Sequence, residues 1–185
     1  STMPQKQNPI RSEAVIAVSK TIERYIARNY PGAVSPDHIH LISRGIDPLE
    51  FPRGYRPTQA WLDEWFREYP RLVGKRVLTL PGRITRRKGH ADFLRLIASL
   101  IANGSPVHGL IVGGDDPHRM AYARELRETV TQLGLEEDVT FTGQRSDIRE
   151  IYAVSDAVFS LSNKPESFGR TVLEALAIGR PVIGY

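Results

Sequence analysis

The sequence predicts an α/β fold, a parallel sheet doubly wound with helices, and three observations predict it. Short, almost continuously apolar runs recur along the chain, helical stripes separate them, and glycine or proline punctuates most junctions. Strands that are apolar on both faces must be covered on both faces, as in parallel sheets. With 185 residues, 41% hydrophobic and 25% charged, the chain has the material for one core or a little more.

The elements follow in order. Residues 14–18 form a short buried strand, and Ser19 is placed to cap a helix through Ile22, Tyr25 and Ile26 that Pro31-Gly32 breaks. Residues 39–42 form a second strand, which runs into Ser43-Arg44-Gly45-Ile46-Asp47. Pro48, Pro52 and Gly54 mark residues 47–55 as a connector, and a short helix with Trp61, Leu62, Trp65 and Phe66 ends at Pro70. The Trp61, Trp65 and Phe66 stripe is expected to pack between domains. From Arg76 the alternation is regular, with strands at 76–80, 109–112, 139–142, 157–161 and 181–183. Helices through Phe93 and Leu100, Tyr122 and Leu133, Ile148 and Tyr152, and Leu173 and Ile178 separate them, and Gly179 is a C-cap stop. Right-handed crossovers make this order a Rossmann-like sheet, whose ligands sit at the carboxyl ends of the strands.

Several classes are excluded. No run of about 18 apolar residues exists, so no transmembrane helix is expected. Residues 1–9 are polar and show no secretion segment, and Ser1-Thr2 reads as an expression scar. Cysteine is absent, which rules out disulfides and suits a cytosolic address. A net charge of +4 is compatible with anionic ligands, but no basic block interleaved with aromatics points to nucleic acid. His38, His40, His90, His108 and His118 lack metal spacing, Asp115-Asp116 has no third ligand in range, and no Ser/His/Asp triad or P-loop is present. No Gly-x-Gly-x-x-Gly follows the first strand, which argues against a dinucleotide binder.

The densest chemistry lies at Pro165-Glu166-Ser167-Phe168-Gly169-Arg170-Thr171-Val172-Leu173-Glu174, which runs from a loop into a helix. Glu166 falls before the helix and Glu174 about one turn inside it. Free backbone N–H groups from Gly169 to Val172 and the helix dipole favour an anion. Two carboxylates beside a phosphate would repel it unless they hold something else. Sugar hydroxyls suit them, since a carboxylate accepts strong charge-assisted bonds from two O–H groups. As residues alone, the pair is also what a ligand-free helix with an acidic first turn looks like.

With Gly179-Arg180-Pro181-Val182 behind it, this stretch resembles the E-x7-E motif of family 4 glycosyltransferases, retaining enzymes of the GT-B fold. Three more loops carry the resemblance. Gly82-Arg83-Ile84-Thr85-Arg86-Arg87-Lys88-Gly89 resembles the family's G-R…K-G loop, and Val112-Gly113-Gly114-Asp115 its [VI]-G-x-G segment. Phe141-Thr142-Gly143-Gln144-Arg145 stands where the family's chain runs along the nucleobase. Ser43-Arg44-Gly45-Ile46-Asp47 resembles the P-N-G-[VI]-D turn at the domain crossing, with Ser and Arg for Pro and Asn. The resemblance covers the chain from about Ala14 onward. It implies that 1–50 is the remnant of an N-terminal domain with the crossing segment, 51–73 a linker and short helix, and 74–185 an incomplete nucleotide-sugar-binding domain. The expectation is therefore the Rossmann-like half of a GT-B fold, truncated at both ends, and weakly stable or self-associating at its freshly exposed edge.

By the same resemblance, Arg83 and Lys88 clamp the donor diphosphate. Fixed cations in a dry cleft would there stabilise the charge that the leaving group gains. Without the resemblance the loop is a solvated basic turn, which is also the expectation for Arg86 and Arg87. Gly82 belongs to the clamp loop; Gly113 and Gly114 either allow close backbone approach to the donor or simply make a turn. Gln144 and Arg145 are candidates for the base pocket. Glu174 would accept the ribose hydroxyls, and Glu166 would orient the donor sugar and stabilise its oxocarbenium-like centre. Backbone N–H groups of Phe168, Gly169 and Arg170 would meet the sugar, and those of Thr171 and Val172 the phosphates; the Arg170 side chain has no assigned role. His90 is expected at a solvated helix start, with a phosphate contact as the alternative.

The resemblance implies a nucleoside diphosphate sugar as donor, with no cofactor and no metal. The acceptor, a carbohydrate or a lipid-linked one, would be held by the N-terminal domain, in bacterial polysaccharide or lipopolysaccharide synthesis. The whole enzyme would be cytoplasmic, at the inner membrane face where it associates peripherally. The 185 residues alone are expected to bind nucleotide and transfer nothing. A synthase of sucrose or trehalose-phosphate type, or a catalytically silent nucleotide-binding scaffold, are the alternatives.

Overall fold

The computed structural model describes residues 14–32, 34–115, 120–164 and 166–185. Ser1, Thr2, Asp116 and His118 lie outside the described residues. Contacts divide the chain into two units: 14–45 with 166–169, and 46–164 with 170–185.

The first unit contains a two-stranded parallel sheet of β1 (Val15–Ala17) and β2 (Ile39–Leu41), joined through α1 (Lys20–Asn29). The Ser19 hydroxyl accepts from the Ile22 N–H at 3.3 Å, the cap that the sequence anticipates. Among the described residues, Ala17 and Ile26 are the buried hydrophobics of this unit.

The second unit opens with α2 (Gln59–Glu68) and continues as β3 (Arg76–Pro81), α3 (His90–Ala102), β4 (Val107–Val112), α4 (Met120–Gln132) and β5 (Val139–Gly143). It ends with α5 (Ile148–Val154), β6 (Ala157–Ser160), α6 (Arg170–Ile178) and β7 (Val182–Gly184). All five strands are parallel, in the order β5-β4-β3-β6-β7. This is the doubly wound sheet expected from the apolar runs. The order reverses between β3 and β6, and a crevice at their carboxyl ends is where such sheets bind ligands.

Alternate residues of the central strands feed two faces. Leu78, Leu80, Val107 and Ile111 pack with Phe93, Leu94 and Ile97 of α3 and with Leu126 and Val130 of α4. Val77, Leu110 and Val112 pack instead with Trp65 of α2 and Ile151 of α5. At Gly109 a Cβ would stand 2.9 Å from Ile97 and 3.3 Å from Phe93, so its absence lets α3 lie close on the sheet.

The Trp stripe packs on the second unit: Trp65 is 2% exposed within its core, and Trp61 stacks on it at 5.0 Å and 14°. The Trp61 indole N–H donates to Asp147 at 2.9 Å, so the helix docks on its own sheet. The connector expected at residues 47–55 is anchored on the same unit. Phe51 is buried among Tyr152, Val158, Ala175 and Ile178, and the Gly54 N–H donates to the Ile178 carbonyl at 2.9 Å. Among the described residues no helix is long and apolar enough to cross a membrane.

Candidate active site

The basic loop after β3 is held from both sides by backbone. On the β4 side, the Gly82 N–H donates to the Val112 carbonyl at 2.8 Å and the Ile84 N–H to the Gly114 carbonyl at 3.1 Å. One loop further out, the Gly113 N–H donates to the Gly143 carbonyl at 2.9 Å. A Cβ on Gly113 would lie 2.1 Å from the Gly82 oxygen, so only glycine allows this approach. On the β6 side, the Asn163 N–H donates to the Arg87 carbonyl at 3.0 Å. Gly89 has φ 74°, and a Cβ there would stand 2.2 Å from the Leu161 oxygen. The loop is thus fastened across the point where the strand order reverses.

Its side chains divide by role. Arg83 is exposed. Lys88 is half-buried, with its stem 3.4 Å from where a Gly82 Cβ would stand. Arg86 is exposed but not merely solvated, because both its terminal nitrogens donate to Glu125 and its guanidinium lies 4.7 Å over the Tyr122 ring. Arg87 is half-buried, against the expectation of a solvated side chain.

His90 is a correction. It is 0% exposed, not a solvated helix start. Its Nδ1 lies 3.3 Å from the Thr85 carbonyl, and its ring meets Tyr122 edge-on at 6.5 Å. Burial pushes its pKa down to about 4, the carbonyl of Thr85 opposes this, and the charge of Lys88 adds to it. His90 is therefore a neutral strut under the loop at neutral pH.

Beyond β5, Gln144 is exposed and its Cβ stands 3.5 Å from a notional Cβ on Gly114. Arg145, expected in a base pocket, is forked onto Asp147 at 2.9 and 2.8 Å and reaches Glu68 at 3.4 Å. Its hydrogen bonds hold the Asp147 carboxyl below the usual range, against the effect of burial. Arg145 thus braces α2, and a cleft of about 390 Å³ lined by Trp61, Glu68, Gln144 and Asp147 lies beside it.

At the start of α6, Glu174 is 4% exposed. Arg170 donates through Nε to its Oε1 at 2.5 Å, and the Tyr152 hydroxyl donates to Oε2 at 3.4 Å. Burial, and then the charge of Glu174, push the Tyr152 hydroxyl far up. Thr171 and Val172 are half-buried in the first turn. Glu166, Phe168 and Gly169 belong to the first unit, whereas Arg83, Lys88 and Glu174 belong to the second. Among the described residues no group of three or more His, Asp or Glu is placed to hold a metal, and Asp115 takes Arg127 at 3.2 Å on both oxygens.

Tyr152, Tyr122, Glu125 and Asn163 were missed as site residues. The Arg170–Glu174 pair had a readable signal, its i,i+4 spacing on a helix. The others act across long sequence separations that one sequence does not reveal.

This sheet, with its order and its loops, is the Rossmann-like half of a GT-B glycosyltransferase fold. The family model described as Glycosyl transferases group 1 matches residues 63–185, and the chain belongs to that family. It is 36% identical over 153 residues to the mannosylfructose-phosphate synthase of Agrobacterium fabrum, covering 79% of this chain and 32% of the relative. To the lipopolysaccharide core biosynthesis mannosyltransferase LpsB of Rhizobium meliloti it is 31% identical over 175 residues, covering 94% and 45%. The crystal structure of Anabaena Alr3699/HepE in complex with UDP and glucose superposes with a TM-score of 0.81 at 25% identity, over 94% of this chain and 44% of that one. The chain thus spans less than half the length of each of these proteins.

Proposed function

We propose that this chain forms the donor half of a retaining glycosyltransferase, which moves a sugar from a nucleoside diphosphate sugar to an acceptor hydroxyl. The observation that carries the reading is the interlocked basic loop, with Arg83 and Lys88 rooted by backbone bonds at the strand-order reversal. Support also comes from the UDP and glucose held by the Anabaena neighbour.

In this reading negative charge builds on the diphosphate as its bond to the sugar breaks. Arg83 and Lys88 offset that charge, and the Thr171 and Val172 N–H groups add the field of the α6 start. Glu174 accepts the ribose hydroxyls, while Gln144 and the backbone beside it meet the base. Glu166 orients the sugar and stabilises its cationic centre, with N–H groups of Phe168, Gly169 and Arg170 alongside. This requires Glu166 to converge with Lys88. The acceptor attacks from the face that the diphosphate leaves, which keeps the anomeric configuration without an enzyme nucleophile. No metal is needed, because the two cations and the helix end do its work.

The acceptor side belongs to the rest of the protein, which works in the cytoplasm and docks on the inner membrane face where the acceptor is lipid-linked. The LpsB relative supports an acceptor in lipopolysaccharide or polysaccharide synthesis. The mannosylfructose-phosphate synthase relative favours a second reading, transfer to a small phosphorylated sugar. Turnover by the full-length protein with each acceptor class separates the two.

Calorimetry of this chain with UDP, GDP and ADP, with and without magnesium, tests the donor reading. One diphosphate is expected to bind without metal. Binding of none would overturn the reading, and strict dependence on magnesium would overturn its metal-free form.

A further inference from the structure

Arg170 opens α6, and its side chain faces two environments. Its Nε is bonded to Glu174, yet 66% of the Arg170 side chain is exposed against 6% for Glu174. That contact uses one of the five guanidinium donors. The two terminal nitrogens have no carboxylate or carbonyl partner among the described residues. Glu174 is closed in on its other side by the fully buried Tyr152.

A buried carboxylate has to be paired and hydrogen-bonded, and Arg170 and Tyr152 supply the partners of the two Glu174 oxygens. Arg170 also answers the difficulty raised by the sequence, that an acidic residue at this helix start would repel a phosphate. Paired with Arg170, Glu174 presents no net charge, while the outward edge of the guanidinium still offers a planar fork suited to a phosphate oxygen pair.

We propose that Arg170 bridges the two halves of the donor nucleotide: Nε keeps Glu174 aimed at the ribose hydroxyls, and the terminal nitrogens bind the diphosphate. The inference rests on the donor-binding reading above. The carboxylate has lone pairs enough to hold Nε and accept hydroxyls together. A lysine, a compact charge on a flexible stem, lacks the rigid planar fork that would hold both partners in one fixed geometry.

The test is calorimetry of the full chain with the diphosphate it prefers among UDP, GDP and ADP, and with the matching nucleoside, for the parent, Arg170→Gln and Arg170→Lys. Arg170→Gln keeps an amide donor for Glu174 but loses the cation. It should weaken the diphosphate about tenfold or more, the worth of one charge-assisted hydrogen bond, and leave nucleoside affinity near the parent's. Arg170→Lys should recover only part of the loss. Equal losses for nucleoside and diphosphate would reduce Arg170 to a counterion and overturn the proposal, as would full rescue by lysine. Should Arg170→Gln not fold, the double variant with Glu174→Gln removes the buried charge too. It is then compared with Glu174→Gln alone, and the same diphosphate-selective loss is expected. A parent that binds none of the three diphosphates fails the donor-binding reading itself, and the inference falls with it.

Discussion

The two sheets of this protein repeat one arrangement, a strand, a helix and a parallel strand, and differ in what covers them. In the two-stranded sheet Ile16 and Leu41 keep 59% and 38% of their surface exposed. In the five-stranded sheet every residue of β4 is buried. Even the polar letters diverge: His40, second in β2, is exposed, whereas His108, second in β4, is fully buried with Nε2 2.8 Å from the Thr140 hydroxyl. An apolar run thus predicts a strand, but neighbouring layers decide how much that strand stabilises. The same contrast locates the site. Loops can hold charged groups in a fixed geometry only where a covered sheet anchors their roots.

The comparison can be broken most directly in the cores. Phe93→Ala, in the 0% exposed centre of the second unit, should cost about 3–5 kcal/mol in chemical denaturation. Ile26→Ala in the first unit should cost much less, and equal losses would mean that the two sheets are alike after all. Next come two glycines with the same left-handed backbone, φ 79° at Gly32 and 74° at Gly89. Gly32→Ala meets nothing within 4 Å and should cost only the conformational strain, about 1–2 kcal/mol. Gly89→Ala must also push back the Leu161 backbone. It should melt lower than Gly32→Ala and weaken diphosphate binding in calorimetry; matching melting temperatures would remove the claim that Gly89 seats the basic loop.

The smallest effect is read from acid. Burial lowers both His90 and His108 to about 4. Unfolded histidine takes its proton near pH 6.5, so between that value and about 4 the unfolded state binds more protons. Stability should therefore fall as pH drops through this window, by at most about 1.4 kcal/mol per histidine per pH unit. His108→Gln retains a donor for Thr140 and should flatten the decline in melting temperature measured from pH 7 to 5. An unchanged slope would show that His108 is not protonated on unfolding.

Most of the fold was legible because its signals are local. The Ser19 cap, the stop at Gly179 with φ 94°, and the apolar strands of the second sheet can each be read from a few adjacent residues. The site was legible in its loops but not in its partners. His90 looks like a solvated residue beside a glycine, and the Tyr122 ring that meets it edge-on lies 32 positions on. The Arg145 ion pair had no signal either, because nothing in a bare sequence says that Asp147 will take its fork. Arg86 looked solvated because Glu125 reaches it only once α4 has packed.

The glycine contacts at the loop roots carry one more consequence. Gly82, Gly113 and Gly89 join their neighbours through main-chain atoms, with Arg83 and Gln144 standing exposed on that frame. Side chains mounted in this way are exchangeable fittings on a fixed chassis. Under the proposed donor role, retooling the molecule for another sugar nucleotide would be a matter of swapping a few rim residues, with the joinery beneath them left alone.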